Sequence, residues 1–247
     1  MFLVLVTALG VGGATMFGAL IGFFFRKIPH RFHDAMLGFA AGVMLAASFV
    51  GLIMPGIELG NIWIVIVGVF AGAVFLNLLD RFMPHQHVIV GNDMEPHQKT
   101  RLKKVMLFVL AIAIHNFPEG VAAGVGFGAD NTSTALTVAA GIALQNIPEG
   151  MVIIGPMLAA GVSQKKTLLI ALGTGVVEVV GTLIGYFAVM LSQALLPFAL
   201  AFAGGTMIYV ISDEMIPETH AHGYQRMATY FLILGITVML LMDHYIG

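Results

Sequence analysis

The sequence predicts an all-α polytopic membrane protein with eight transmembrane helices, inverted repeats and both termini outside. Three observations predict it. Of 247 residues 59% are hydrophobic, with a mean hydropathy of +0.96. Only 10% are charged, against about 25% in a soluble domain, which is too few to cover a water-facing surface. The apolar residues also fall into eight runs, each close to the roughly 20 residues that a membrane helix needs. The same composition argues against a soluble globular or disordered chain. With 11 basic and 13 acidic residues there is no basic excess for nucleic acid. The absence of cysteine excludes a disulfide framework, a thiolate metal site and thiol catalysis.

Span 1 covers about residues 2–25; it lacks a basic start and an A-x-A cleavage site, so it reads as a span and not a signal peptide. Span 2 runs about 35–54 and span 3 about 61–82. The longest linker follows, about 83–104, reading MPHQHVIVGNDMEPHQKTRLKK, polar and histidine-bearing. Spans 4 to 8 run about 105–127, 134–159, 168–190, 195–216 and 227–246. Together they make residues 1–247 a single transmembrane domain.

Basic residues set the orientation. Arg26, Lys27 and Arg31 lie between spans 1 and 2; Arg81, Lys99, Arg101, Lys103 and Lys104 at the 3–4 connection; Lys165 and Lys166 between spans 5 and 6; Arg226 between spans 7 and 8. These are all the Lys and Arg of the chain, and with eight alternating spans they fall on one side. The opposite connections carry Glu58 and Asp130. The 3–4 loop is therefore expected in the cytosol.

Three acids fall near the middle of spans: Glu119 in span 4, Glu149 in span 5 and Glu178 in span 6. A carboxylate at the bilayer centre costs about 2.5–3.5 kcal/mol on insertion scales. No Lys or Arg lies in the core of any span, which leaves protons or a bound cation as the compensation. Span 4 reads IAIHNFPEGVAAG and span 5 reads IALQNIPEGMVIIG. They align at an offset of 30: His115 with Gln145, Asn116 with Asn146, Pro118 with Pro148, Glu119 with Glu149. His115 and Glu119, four apart, share a helix face, as do Gln145 and Glu149. Consecutive spans run antiparallel, so the motifs form an inverted pair, and inverted repeats around a site within the membrane are a transporter pattern. Each proline removes a backbone donor and frees a carbonyl. A single buried Glu can be protonated and a single His can be a packing residue; two facing motifs plus Glu178 are not needed for packing. One imidazole, three carboxylates and three amide oxygens suit Zn²⁺, Fe²⁺, Mn²⁺ or Cd²⁺ better than Na⁺ or K⁺. A metalloprotease H-E-x-x-H is absent, and no nucleophile and base pair is found, so an enzyme is not expected. There is no nucleotide-binding G-x-x-x-x-G-K-[ST] loop either.

At HNFPEG and QNIPEG the sequence resembles the ZIP (Zrt/Irt-like) family of divalent-metal transporters, most closely its bacterial GufA-type branch, over essentially the whole chain. The resemblance implies import of Zn²⁺, and of other first-row metals, into the cytosol, with Cd²⁺ able to occupy the same sites. It implies a first metal on His115, Glu119, Gln145, Glu149 and Met44, the last from AGVMLAAS of span 2. Among 16 methionines, Met44 is equally readable as a packing residue. A second metal would take Asn116, Asn146 and Glu178, sharing Glu119 and Glu149. Relatives can carry Asp where this chain has Asn146, which supplies oxygen without charge. Gln145 in place of a histidine should soften selectivity for zinc. The resemblance also implies an elevator-like motion of spans 1, 4, 5 and 6 against spans 2, 3, 7 and 8, a homodimer, and residence in a plasma membrane, the bacterial inner membrane. Glu58 and Asp243 match positions read as a metal entrance in relatives.

On the cytosolic side lie His85, His87, Glu214, Asp34, Asp80, Glu218, His220 and His222, together with His30, His33, His97 and Asp213. These are candidate ligands for exiting metal, since neutral imidazole binds metal and titrates near pH 6.5. A polar interface belt is the competing reading, and Asp34 and Asp80 could serve as helix-end charges. A divalent-cation channel and a proton-linked metal antiporter remain the alternative functions.

Overall fold

The computed structural model describes residues 1–25, 29–82, 98–129 and 132–247. Among them there are helices and connecting turns and no strand, with eight helices long and apolar enough to cross a membrane. We number them α1 (Phe2–Phe24), α2 (His30–Leu59), α3 (Ile62–Phe82), α4 (Gln98–Gly126), α5 (Thr132–Ala159), α6 (Gln164–Leu191), α7 (Gln193–Thr219) and α8 (Gln225–Ile246). Hydropathy locates them because backbone polar groups in hydrocarbon must be bonded within the segment, and a helix does this.

The helices overrun their apolar runs at polar ends. α2 begins at His30 and α4 at Gln98, each several residues before the apolar stretch starts. Polar side chains at a helix end reach water at no cost to the helix, so hydropathy marks the membrane-buried part and misses the rest. Ser163 caps α6, its side chain accepting from the Lys166 amide. Two turns use glycine at positive φ: Gly161 at 83° after α5 and Gly223 at 87° before α8. Both values lie where an L side chain is disfavoured.

Two helices are locally widened. α2 becomes a π-helix over Ala47–Ile53 and α7 over Ile211–Met215. Each stretch runs straight into a proline at the second position of the next segment, Pro55 and Pro217. A proline inside a helix removes an amide donor and its ring meets the carbonyl four residues earlier. Widening the preceding turn moves that carbonyl aside. Pro118, Pro148 and Pro156 stand inside α-helix that continues past them.

The closest packed pairs are α4 with α6, α1 with α5, α2 with α8 and α3 with α7; α1 also lies along α6. Glycines make these approaches. A side chain on Gly120 or Gly124 would run into the carbonyls of Glu178 or Thr182, and one on Gly150 into that of Thr15. Gly42 faces the Leu232 carbonyl and Gly72 that of Phe202 in the same way. Such backbone contact is how helices associate where lipid is as apolar as leucine. The pairing divides the helices into two groups, α1/α4/α5/α6 and α2/α3/α7/α8, joined mainly by α2 against α5 and α4 against α7. The main core cluster lies across this junction, with Met44, Ala122, Val138, Ile142 and Met207.

Candidate functional site

Each motif places its polar residues on the inward face of its helix. Asn116, Glu119, Gln145, Asn146 and Glu178 are buried, and His115 and Glu149 are half-buried. Their side chains form a chain of hydrogen bonds across three helices. The Gln145 amide donates to Glu119 Oε2 at 2.6 Å and to Asn146 Oδ1 at 2.7 Å. The Asn146 amide donates to Glu178 Oε1 at 2.6 Å and to the Val11 carbonyl of α1 at 3.1 Å. The Asn116 amide donates to the Thr174 carbonyl of α6 at 3.3 Å.

Acceptors are left over beside the amide donors, and the buried Thr15 hydroxyl of α1 also has no hydrogen-bond partner among the described residues. Asn116 Oδ1, Glu119 Oε1, Gln145 Oε1 and Glu178 Oε2 are buried and accept no hydrogen bond among the described residues. Each buried unpaired oxygen costs about 1–3 kcal/mol, and more where it is charged. Three of them, on Glu119, Gln145 and Glu178, lie on the hydrogen-bonded chain, and Asn116 stands three residues from Glu119 on α4; such an oxygen-rich group without Lys or Arg has the character of a cation site.

Beyond this cluster the predicted residues separate. His115 Nε2 lies 2.8 Å from Glu214 Oε1, linking α4 to the widened turn of α7. Sequence reasoning put these two residues at different depths; Glu214 stands within the π-helical stretch of α7. Met44 is 1% exposed within the main core cluster, and its carbonyl accepts from Ser48. Glu58 is exposed near the end of α2, inside the helix and not beyond it, and Asp243 is half-buried near the end of α8. Asp34 is fully buried and within 2.9 Å of His222, so it is not a solvated helix-end charge. Glu218 lies in the last turn of α7, and the His220 ring binds the Ile216 carbonyl at 2.7 Å. The Asp80 side chain, His85 and His87 lie outside the described residues. The carbonyls of Val11 and Thr174, which hold the two asparagines, carry no sequence signal.

Comparison with known proteins identifies the scaffold. Residues 91–243, more than half the chain and including both proline-glutamate motifs, match the family described as ZIP zinc transporter. The chain belongs to the ZIP family. It is 41% identical to the zinc transporter GufA of Myxococcus xanthus, over 98% of both chains. It is 36% identical to the zinc transporter ZIPB of Bordetella bronchiseptica, over 95% of this chain and 78% of that one. A zinc transporter ZupT of Clostridium perfringens is 32% identical, over 92% of this chain and 90% of its own. This ZIP protein is thus an integral membrane transporter and not an enzyme, consistent with its eight apolar helices.

Proposed function

We propose that this ZIP protein carries Zn²⁺ into the cytosol through a two-metal site formed by α4, α5 and α6. The observation that carries the reading is the set of four buried oxygens without donors, on Asn116, Glu119, Gln145 and Glu178. A divalent ion is the group that satisfies several such oxygens at once, and mixed carboxylate, amide and imidazole ligands suit zinc, with Cd²⁺, Fe²⁺ and Mn²⁺ as competitors. The first ion takes His115, Glu119, Gln145, Glu149 and the Met44 thioether. The second takes Asn116, Asn146 and Glu178, sharing Glu119 and Glu149. Gln145 and Asn146 spend their amides on Glu119 and Glu178, and rotation of either amide by half a turn presents oxygen to the metal instead.

Alternating access by sliding of α1/α4/α5/α6 against α2/α3/α7/α8 is supported by the helix pairing. All candidate midplane ligands except Met44 sit on the first group, which packs more closely within itself than against the second. Exchanging α1 with α6, α2 with α7, α3 with α8 and α4 with α5 carries the close pairs onto one another, and the two π-helical turns onto one another too. This supports the inverted repeat. Glu58 and Asp243 form the entrance, and Glu214 receives His115 on the exit path that continues to Glu218, His220, His222 and the 3–4 loop. The membrane is the bacterial cytoplasmic membrane, and α3 offers a homodimer an exposed apolar face of Trp63, Val67, Phe70 and Val74.

The test is uptake into proteoliposomes of Zn²⁺, Cd²⁺, Fe²⁺, Mn²⁺ and Mg²⁺ by wild type, Glu119→Gln and Glu149→Gln. Saturable zinc uptake lost in both variants is expected. Absence of divalent uptake by folded wild type, with zinc binding unchanged in the variants, would overturn the proposal. Currents too large for an alternating carrier would indicate a channel.

A further inference from the structure

A second group of metal-ligating side chains lies away from the proline-glutamate motifs. It joins the start of α2 to the turn after α7. Among the described residues, His33, Asp34 and His222 are the one set of three His, Asp or Glu residues whose ligand atoms all lie within 4.8 Å of one another. Asp34 Oδ1 is 2.9 Å from His222 Nδ1 and 3.3 Å from His33 Nδ1. In a tetrahedral zinc site with ligand bonds of about 2.0–2.1 Å, neighbouring ligand atoms stand roughly 3.3 Å apart. The two distances from Asp34 are thus close to the edges of such a site.

The group is built around a buried carboxylate, with the two histidines half-buried. Asp34 has no solvent exposure and the His222 side chain only 9%. The His30 ring stacks on the His222 ring with centroids 4.3 Å apart and planes 21° apart, and His33 meets the same ring edge-on. Gly223, at φ 87°, turns the chain so that His222 faces α2. Yet hydrogen bonding leaves the group incomplete. Asp34 Oδ2 and His222 Nε2 have no hydrogen-bond partner among the described residues. Among the described residues, the ion pairs formed by Asp34 are both with histidines, His33 and His222.

We propose that His33, Asp34 and His222 form a divalent-metal site, of zinc type, that fastens the first turn of α2 to the turn between α7 and α8. Both imidazoles bind through Nδ1, and Asp34 binds through one or both carboxylate oxygens. Glu218 Oε1, 4.0 Å from His222 Nε2, accepts the remaining ring N–H once that ring is metal-bound. A carboxylate partner on the far ring nitrogen is the usual means of orienting a ligating histidine. His222 also lies on the exit path proposed above, but the site uses none of the ligands proposed for the two midplane ions.

The experiment is equilibrium dialysis of detergent-purified full-length chain against buffered Zn²⁺, with bound metal measured by elemental analysis. The reference protein carries Glu119→Gln and Glu149→Gln. Adding Asp34→Asn and His222→Gln is expected to remove one zinc per chain, with the loop histidines intact in both proteins. His222→Gln alone is expected to weaken that binding at least tenfold, which keeps the test open if the Asp34 variant fails to fold. Equal bound zinc with and without the His222 substitution would overturn the proposal. A reference protein that binds as much metal as wild type would count against the proposed transport site and leave this one standing.

Discussion

Asn146 offers the sharpest test of the buried network, because replacing it with Asp changes one donor into an acceptor and little else. Its amide donates to Glu178 Oε1 at 2.6 Å and to the Val11 carbonyl at 3.1 Å. Losing a hydrogen bond to a charged acceptor costs about 1.5–3 kcal/mol and one to a neutral acceptor about 0.5–1.5 kcal/mol. The Gln145 amide still has an oxygen to donate to, which keeps the third contact. The metal-free Asn146→Asp protein should therefore be less stable by about 3 kcal/mol. In a chain of this size 1 kcal/mol moves Tm by about 2–4 °C, so Tm should fall by roughly 6–12 °C. Zinc should narrow the gap. The new carboxylate faces the same oxygens as Glu178, so a tenfold gain in affinity adds about 1.4 kcal/mol of ligand stabilisation at saturation. The zinc-induced rise in Tm should then exceed that of wild type by about 3–5 °C. The assay is thermal unfolding in detergent with chelator and with excess zinc, followed by loss of the monodisperse peak. Equal Tm for both proteins in chelator, together with an unchanged zinc shift, would refute the reasoning that Asn146 is a donor holding a metal-ready carboxylate.

Other expectations follow from the same geometry. Gln145→His replaces an amide that binds Glu119 and Asn146 with an imidazole; competition uptake should show zinc favoured over Mn²⁺ by several-fold more than in wild type. Glu214→Gln weakens the 2.8 Å contact with His115; initial uptake should slow several-fold while zinc binding at equilibrium stays within about threefold, and an unchanged rate removes Glu214 from the exit path. Gly124→Val places carbon against the Thr182 carbonyl and should cost at least the roughly 1–3 kcal/mol of an overpacked core. Gly10→Ala, with open space around it, should instead raise stability by about 0.5–1 kcal/mol; thermal unfolding separates the two.

Much of this molecule can be read without coordinates, and the reasons are physical. Hydrocarbon solvates no charge, so the few charged residues either mark the ends of spans, as Arg26, Lys165 and Arg226 do, or mark a site, as Glu119, Glu149 and Glu178 do. The offset of 30 between HNFPEG and QNIPEG places the two matching polar motifs before any fold is known. Local spacing also says that His115 shares a face with Glu119. It does not say that His115 reaches Glu214 across 99 residues of chain.

Composition and the period of the helix therefore determined the class, the eight spans and the residues of the buried polar network. Both express a preference of each residue for its own solvent, and that preference is local. Which oxygens are left without donors, which helices pair through glycine, and that Asp34 is buried between two histidines were decided only by tertiary structure. Those outcomes depend on contacts between helices far apart in sequence, and on how many donors remain once the backbone carbonyls of Val11 and Thr174 have taken their share.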